Sequence, residues 1–182
     1  MTTPFRILAI SGSLRAQSSN TEILRAAGRL AAPRARVVLY DGLGTLPHFN
    51  PDLDGEGAVL PPPVRRLRDA LAESDALLIC SPEYAHGVPG TLKNALDWLV
   101  SGPEMVGMPV GLLNASSRAT FAAASLAETL RTMSADVVPG ACVTVPLDGS
   151  RPSAEAIAAT PAFADPIAAA LQALAATGRA PR

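Results

Sequence analysis

The chain holds a single lysine, Lys93, so nearly all its positive charge is arginine. Its two cysteines, Cys80 and Cys142, both fall in apolar runs. That excludes a disulfide framework, and both are expected as buried strand residues. Aromatic side chains make up 4% of the residues, so Ala, Leu and Val must fill the interior. The formal net charge is −1, which supplies neither the basic footprint of a nucleic-acid binder nor a solvating acidic tail. No apolar run is long enough to span a bilayer. Met1-Thr2-Thr3-Pro4 runs straight into a strand pattern with no signal-peptide layout, so a cytoplasmic protein is expected. A length of 182 residues fits one domain over 1–182 that buries its own core.

Several reactive layouts are missing as well. There is no G-x-G-x-x-G for a pyrophosphate and no G-x-x-x-x-G-K-[ST] for nucleotide hydrolysis. No G-x-S-x-G elbow activates a serine. Cys80 with His86 misses the C-x5-R loop of a thiol phosphatase, because the arginine is absent. His48 has no neighbouring ligand type, and Asp52 and Asp54 near Gly55 lack the spacing of a calcium loop.

What is present is a regular alternation. Apolar runs at 5–10, 35–40, 76–80, 109–114 and 141–146 read as strands, and the continuous ones read as buried on both faces. Helical patterns follow at about 21–32, 64–73, 89–100, 119–133 and 162–177. Ser19 and Glu22 have the spacing of a capping box, and Pro89 suits a first helical turn. Residues 41–63, rich in Gly, Pro and Asp, are expected to form a surface loop. Five strand–helix alternations predict an α/β fold: a five-stranded parallel sheet between two helix layers, strand order 2-1-3-4-5 as in flavodoxin-like proteins. Ligands of such sheets sit at the carboxyl ends of the strands, near the switch point between strands one and three. Three loops therefore matter: 11–20, 81–88 and 114–118.

The first of these, Ser11 to Asn20, holds hydroxyls, amides and the Arg15 guanidinium, and no carboxylate occurs before Glu22. It runs into a helix N-terminus, whose free amides and dipole favour an anion. Gly12 allows close backbone approach, and Arg15 can fork onto phosphate oxygens. With both nucleotide loops missing, one terminal phosphate is the expected ligand. In the second loop, Tyr84 offers a flat face with a polar tip, and Pro82, Gly87 and Pro89 stiffen the wall.

Gly12-Ser13-Leu14-Arg15-Ala16-Gln17-Ser18-Ser19-Asn20 resembles the G-S-x-R-x-x-S-x-N loop of the NADPH-dependent FMN reductase family. Pro82-Glu83-Tyr84, with Pro89-Gly90-Thr91-Leu92-Lys93-Asn94-Ala95-Leu96-Asp97-Trp98, resembles its P-E-Y-N…P-G-x-L-K-N-A-I-D-W block. The similarity spans roughly residues 5–146. The resemblance implies a cytoplasmic FMN-dependent enzyme that takes hydride from NAD(P)H and passes it, through flavin N5, to a small-molecule acceptor. Free flavin, quinones, azo compounds and chromate are the family's acceptors. It implies Ser13, Arg15, Gln17, Ser18, Ser19 and Asn20 around the FMN phosphate. It implies Pro82, Glu83, Tyr84, Ala85 and His86 along the isoalloxazine, mostly by main chain, with Ser116 and Ser117 after strand four. No metal and no acid–base side chain is implied.

The resemblance also implies a homodimer or homotetramer, for which the apolar stretch Leu92–Val100 is a candidate surface. Lys93, Asn94, Asp97 and Trp98 are expected in structural roles. Ala85 departs from the family's usual Asn; His86 replaces its polar group, donates to a substrate, or faces solvent. Alternatives are a flavodoxin-like electron carrier, a supplier of released reduced flavin, and a non-enzymatic module binding FMN or another phosphorylated ligand.

Overall fold

The computed structural model describes residues 4–55 and 57–178. The opening Met1–Thr3 therefore lies outside the described residues. Strands β1 (Phe5–Ser11), β2 (Ala35–Leu39), β3 (Ala76–Cys80), β4 (Pro109–Asn114) and β5 (Asp136–Thr144) form one parallel sheet. Their order is β2-β1-β3-β4-β5, as expected. Helices α1 (Ser19–Ala31), α2 (Pro62–Ala72), α3 (Gly90–Asp97), α4 (Phe121–Thr132), α5 (Ala154–Ala159) and α6 (Pro161–Ala175) cover it.

The central strands are apolar on both faces because each face carries a core. Ile7 and Ala9 of β1, with Ala76, Leu78 and Cys80 of β3, pack against α1, α5 and α6. Leu8, Ile10, Leu77 and Ile79 point the other way, onto α2, α3 and α4. Successive residues of a strand face opposite sides, so an unbroken apolar run is what two covered faces require.

The irregular stretch after β2 is held down. Asn94 accepts from the Phe49 amide at 2.8 Å and donates to the Pro47 carbonyl at 2.9 Å. Trp98, fully buried, donates its indole N–H to the same carbonyl. Arg68 reaches Asp54 at 2.8 Å and the Trp98 carbonyl at 2.7 Å. Asn94 and Trp98 thus have the expected structural roles, and Lys93 pairs with Asp97 across one helical turn.

Several expectations are corrected. The cap of α1 is Ser18, whose side chain accepts from the Thr21 amide; Ser19 is already helical. Glu22 pairs through one oxygen with Arg25, a turn further along α1, and its other oxygen leaves the helix. It accepts from the Ala154 amide at 2.8 Å, so its charge serves the start of α5, a helix the sequence reading missed. Pro89 caps α3 and does not enter its first turn. The apolar side of the stretch after it is turned inward: Leu92, Leu96, Trp98 and Leu99 are all buried and only Val100 is strongly exposed. That stretch therefore offers little apolar surface for a subunit contact.

Strand β5 starts five residues early, at Asp136, because Pro139-Gly140 does not end it. Between Val110 and Leu112 of β4, the paired residue on β5 advances from Val137 to Cys142. This bulge is tolerated because β5 is an edge strand. It also explains why Cys142 is exposed and not buried as expected, while Cys80 is buried.

Candidate functional site

The first loop is fastened to the sheet edge at its start. The Gly12 amide donates to the Cys80 carbonyl at 2.9 Å. A Cβ on Gly12 would stand 2.4 Å from Ser81 Oγ, so only glycine lets the β1 and β3 exits lie this close. Ser11 and Thr21 join by a 2.9 Å hydroxyl contact, and the Cys80 thiol donates to Asn20 Oδ1. Burial pushes that thiol far above its ordinary pKa, so it stays protonated as a donor.

Around this frame, Ser18 and Asn20 are buried, Ser13 and Ser19 half-buried, and Arg15 and Gln17 exposed. Ser13 Oγ accepts from the Arg15 amide. Thr21 spends its amide on the cap, but the preceding amides of the first turn have no carbonyl within the helix. Arg15 forms no ion pair among the described residues.

A cleft of about 350 Å³ collects residues from all three loops: Asn20, Ser81–Glu83 and Asn114–Ser116, with Arg118 and Ala119. Asn114 shapes the third loop, donating to the Ala119 carbonyl at 2.7 Å and accepting from the Ser116 amide. Ser116 lines the cleft; exposed Ser117 instead donates to Asp148 at 3.3 Å.

The second loop ends in a two-residue turn. Tyr84 and Gly87 exchange backbone hydrogen bonds at 3.1 and 2.9 Å. Between them Ala85 (φ 48°) and His86 (φ 60°) are both left-handed. This is the type I′ pattern, which Asn and Gly adopt readily; each ordinary residue there costs about 1–2 kcal/mol. Two ties to α4 hold the turn. Glu83 Oε2 accepts the Ala122 amide at 2.8 Å, and the His86 ring stacks on Phe121 with centroids 4.3 Å apart and planes 19° apart.

This arrangement passes a direct test for an FMN phosphate. The two carboxylates nearest in sequence to the loops are both engaged elsewhere, Glu22 at α5 and Glu83 at α4. What remains at the first loop is hydroxyls, amides and a guanidinium, which are donors suited to a dianion.

The chain matches the model of the NADPH-dependent FMN reductase family over residues 5–149. It belongs to that family.

Among its relatives is an NAD(P)H-dependent FMN reductase of Pseudomonas aeruginosa. The two are 40% identical over 119 residues, 64% of this chain and 63% of that protein. A quinone reductase of Escherichia coli K12 is 31% identical over 133 residues, covering 72% of this chain and 70% of that one. The chain spans only about half the length of other curated relatives, 52% of an Arabidopsis thaliana NADPH:quinone oxidoreductase and 50% of a Pseudomonas putida quinone reductase. Among solved structures, the flavoenzyme NAD(P)H:(acceptor) oxidoreductase of Paracoccus denitrificans superposes with a TM-score of 0.72 at 28% identity, over 93% of this chain and 94% of that one.

Three residues of the site were missed by the sequence reading: Asn114, Arg118 and Phe121. Asn114 was legible in principle, since it ends a strand at the binding edge. Arg118 falls inside the 114–118 loop singled out above without being picked as a contact, whereas Phe121 carried no signal, because only the folded chain sets it against His86.

Proposed function

We propose that this chain is an FMN-dependent NAD(P)H oxidoreductase acting on a small-molecule electron acceptor such as free flavin, a quinone, an azo compound or chromate. The observation that carries the reading is the carboxylate-free, arginine-bearing loop at the start of α1, beside a cleft shared by the β1, β3 and β4 exits. FMN, when bound, supplies hydride acceptance and donation at its flavin N5.

The chain's own residues bind and orient. Arg15 and the hydroxyls of Ser13, Ser18 and Ser19 neutralise and hydrogen-bond the phosphate. Gln17 contributes backbone, and Asn20, braced by Cys80, fixes the start of the helix. Pro82 to His86 present main chain to the ring edge. With its carboxylate spent on the Ala122 amide, Glu83 puts no negative charge against the ring. Ser116 borders the ring from the third loop; the Ser117 hydroxyl is turned to Asp148 instead. No side chain is assigned to proton transfer, since hydride transfer needs none. The names of the relatives favour a quinone or a flavin as acceptor.

The chain is read as one FMN-binding domain, cytoplasmic, and working as a homodimer or homotetramer. The test is an absorption spectrum of the purified protein followed by anaerobic NAD(P)H titration. Bleaching of the oxidised-flavin band without a partner protein supports an enzyme. A flavin band that NAD(P)H leaves untouched points to an electron carrier. Absence of FMN binding ends the proposal.

A further inference from the structure

The chain has four phenylalanines and two tyrosines. Only Tyr84 and Phe121, 59% and 57% exposed, stand largely in water; each is a chain neighbour of one end of the hydrogen bond by which Glu83, a lining residue of the cleft, accepts from the Ala122 amide. Phe121 opens α4, directly after the third loop, and His86 of the second loop lies flat on it. We propose that the stacked His86–Phe121 pair is the acceptor-facing wall of the site and selects flat aromatic acceptors. This rests on the reading of the site as an FMN-dependent oxidoreductase.

Three observations converge on it. The turn that presents His86 holds two successive non-glycine residues in the left-handed region, which persists only where surrounding contacts over-determine it. Both determining contacts run to the first turn of α4: Glu83 to the Ala122 amide, and His86 to Phe121. The second is the informative one, because a purely structural tie has no need of two exposed rings. An aromatic ring kept in water next to the Glu83–Ala122 tie, whose carboxylate residue lines the cleft, offers a planar ligand apolar area at little conformational cost. Ala85 fits the same picture. It places a methyl where the family's usual Asn would put a polar amide, leaving the neighbouring rings as the main recognition surface.

The experiment compares wild type with Phe121→Ala, Phe121→Tyr and His86→Ala. Steady-state rates are measured with 1,4-naphthoquinone and with ferricyanide, which has no ring to stack. The proposal expects KM for the naphthoquinone to rise about three- to tenfold in Phe121→Ala, the worth of one lost aromatic contact. Its kcat/KM relative to ferricyanide should fall by a similar factor. Phe121→Tyr, which keeps the ring, should restore the ratio. A second readout needs no turnover. The chain has two histidines, so in the proton NMR spectrum of the oxidised protein the ring signal lost in His86→Ala identifies His86. Naphthoquinone should shift that signal and leave the His48 signal in place. An unchanged acceptor ratio in Phe121→Ala, or a His86 signal indifferent to naphthoquinone, overturns the proposal while the FMN reading stands. Wild type that binds no FMN overturns both.

Discussion

Gly12 and Ser81 meet where β1 and β3 leave the sheet, and the space between them would not hold a methyl group. A Cβ on Gly12 would lie 2.4 Å from Ser81 Oγ and 2.9 Å from its Cβ. Gly12→Ala must therefore push the two exits apart or rotate the loop. The expected cost is about 1–3 kcal/mol of stability, typical of overpacking, together with weaker FMN binding. Thermal melts and FMN titration measure the two effects. Adding Ser81→Gly removes most of the clash, so the double variant should recover part of both losses. A Gly12→Ala protein with wild-type melting and affinity would contradict the assigned contact.

Arg15 is exposed and forms no ion pair among the described residues, so its removal breaks little in the protein itself. Arg15→Ala should weaken FMN binding by about 2–3 kcal/mol, the usual worth of a charge-assisted contact. Its melting temperature without FMN should barely move. Fluorescence quenching of free FMN gives the affinity. An unchanged value would show that the phosphate lies elsewhere.

Arg68 and Asp54 form the most buried ion pair of the described residues, with side chains 14% and 5% exposed. Ser101 donates to the other Asp54 oxygen at 2.6 Å. Truncating Arg68 alone leaves a buried carboxylate unpaired, which typically costs about 3–5 kcal/mol. Arg68→Ala should thus be far more damaging than an exposed-pair variant such as Lys93→Ala. Arg68→Met with Asp54→Leu should recover much of the loss. Chemical denaturation of the three proteins decides the matter.

Alkaline stability should follow the cysteines. Burial raises the Cys80 thiol well above its ordinary pKa, and desolvation raises Cys142 in the same direction. Below about pH 8.5 each thiol is protonated whether folded or unfolded. Above it the unfolded chain releases protons that the folded chain keeps. Stability then falls as pH rises, with a limiting slope of about 1.4 kcal/mol per pH unit for fully buried Cys80, while exposed Cys142 adds only a small part of that. Cys80→Ala should flatten that slope between pH 8.5 and 10, whatever it does to the absolute value. A thiol reagent should label Cys142 in the folded protein and reach Cys80 only on unfolding.

Where two covered faces demanded unbroken apolar strands, the pattern was plain, and strand order followed from the alternation. The phosphate loop was legible because its composition is one-sided over a contiguous stretch. Three kinds of feature were not. Glu22 and Ser19 have the right spacing for a local cap, but a distant amide at Ala154 competes for the carboxylate. Pro139-Gly140 looks like a strand end, and only its place at the sheet margin allows it to remain inside β5. The His86–Phe121 contact joins positions 35 residues apart through loop geometry, which no local period encodes.

That interruption in β5 reaches beyond this domain's own shape. A flat outer strand offers its free amides and carbonyls as a template on which another polypeptide can add. Here the template is spoiled part-way along, by a proline that has no amide to offer and by a local kink that breaks the ladder. The margin formed by β5 is thereby protected against runaway strand addition, a safeguard written into the backbone instead of into surface charge.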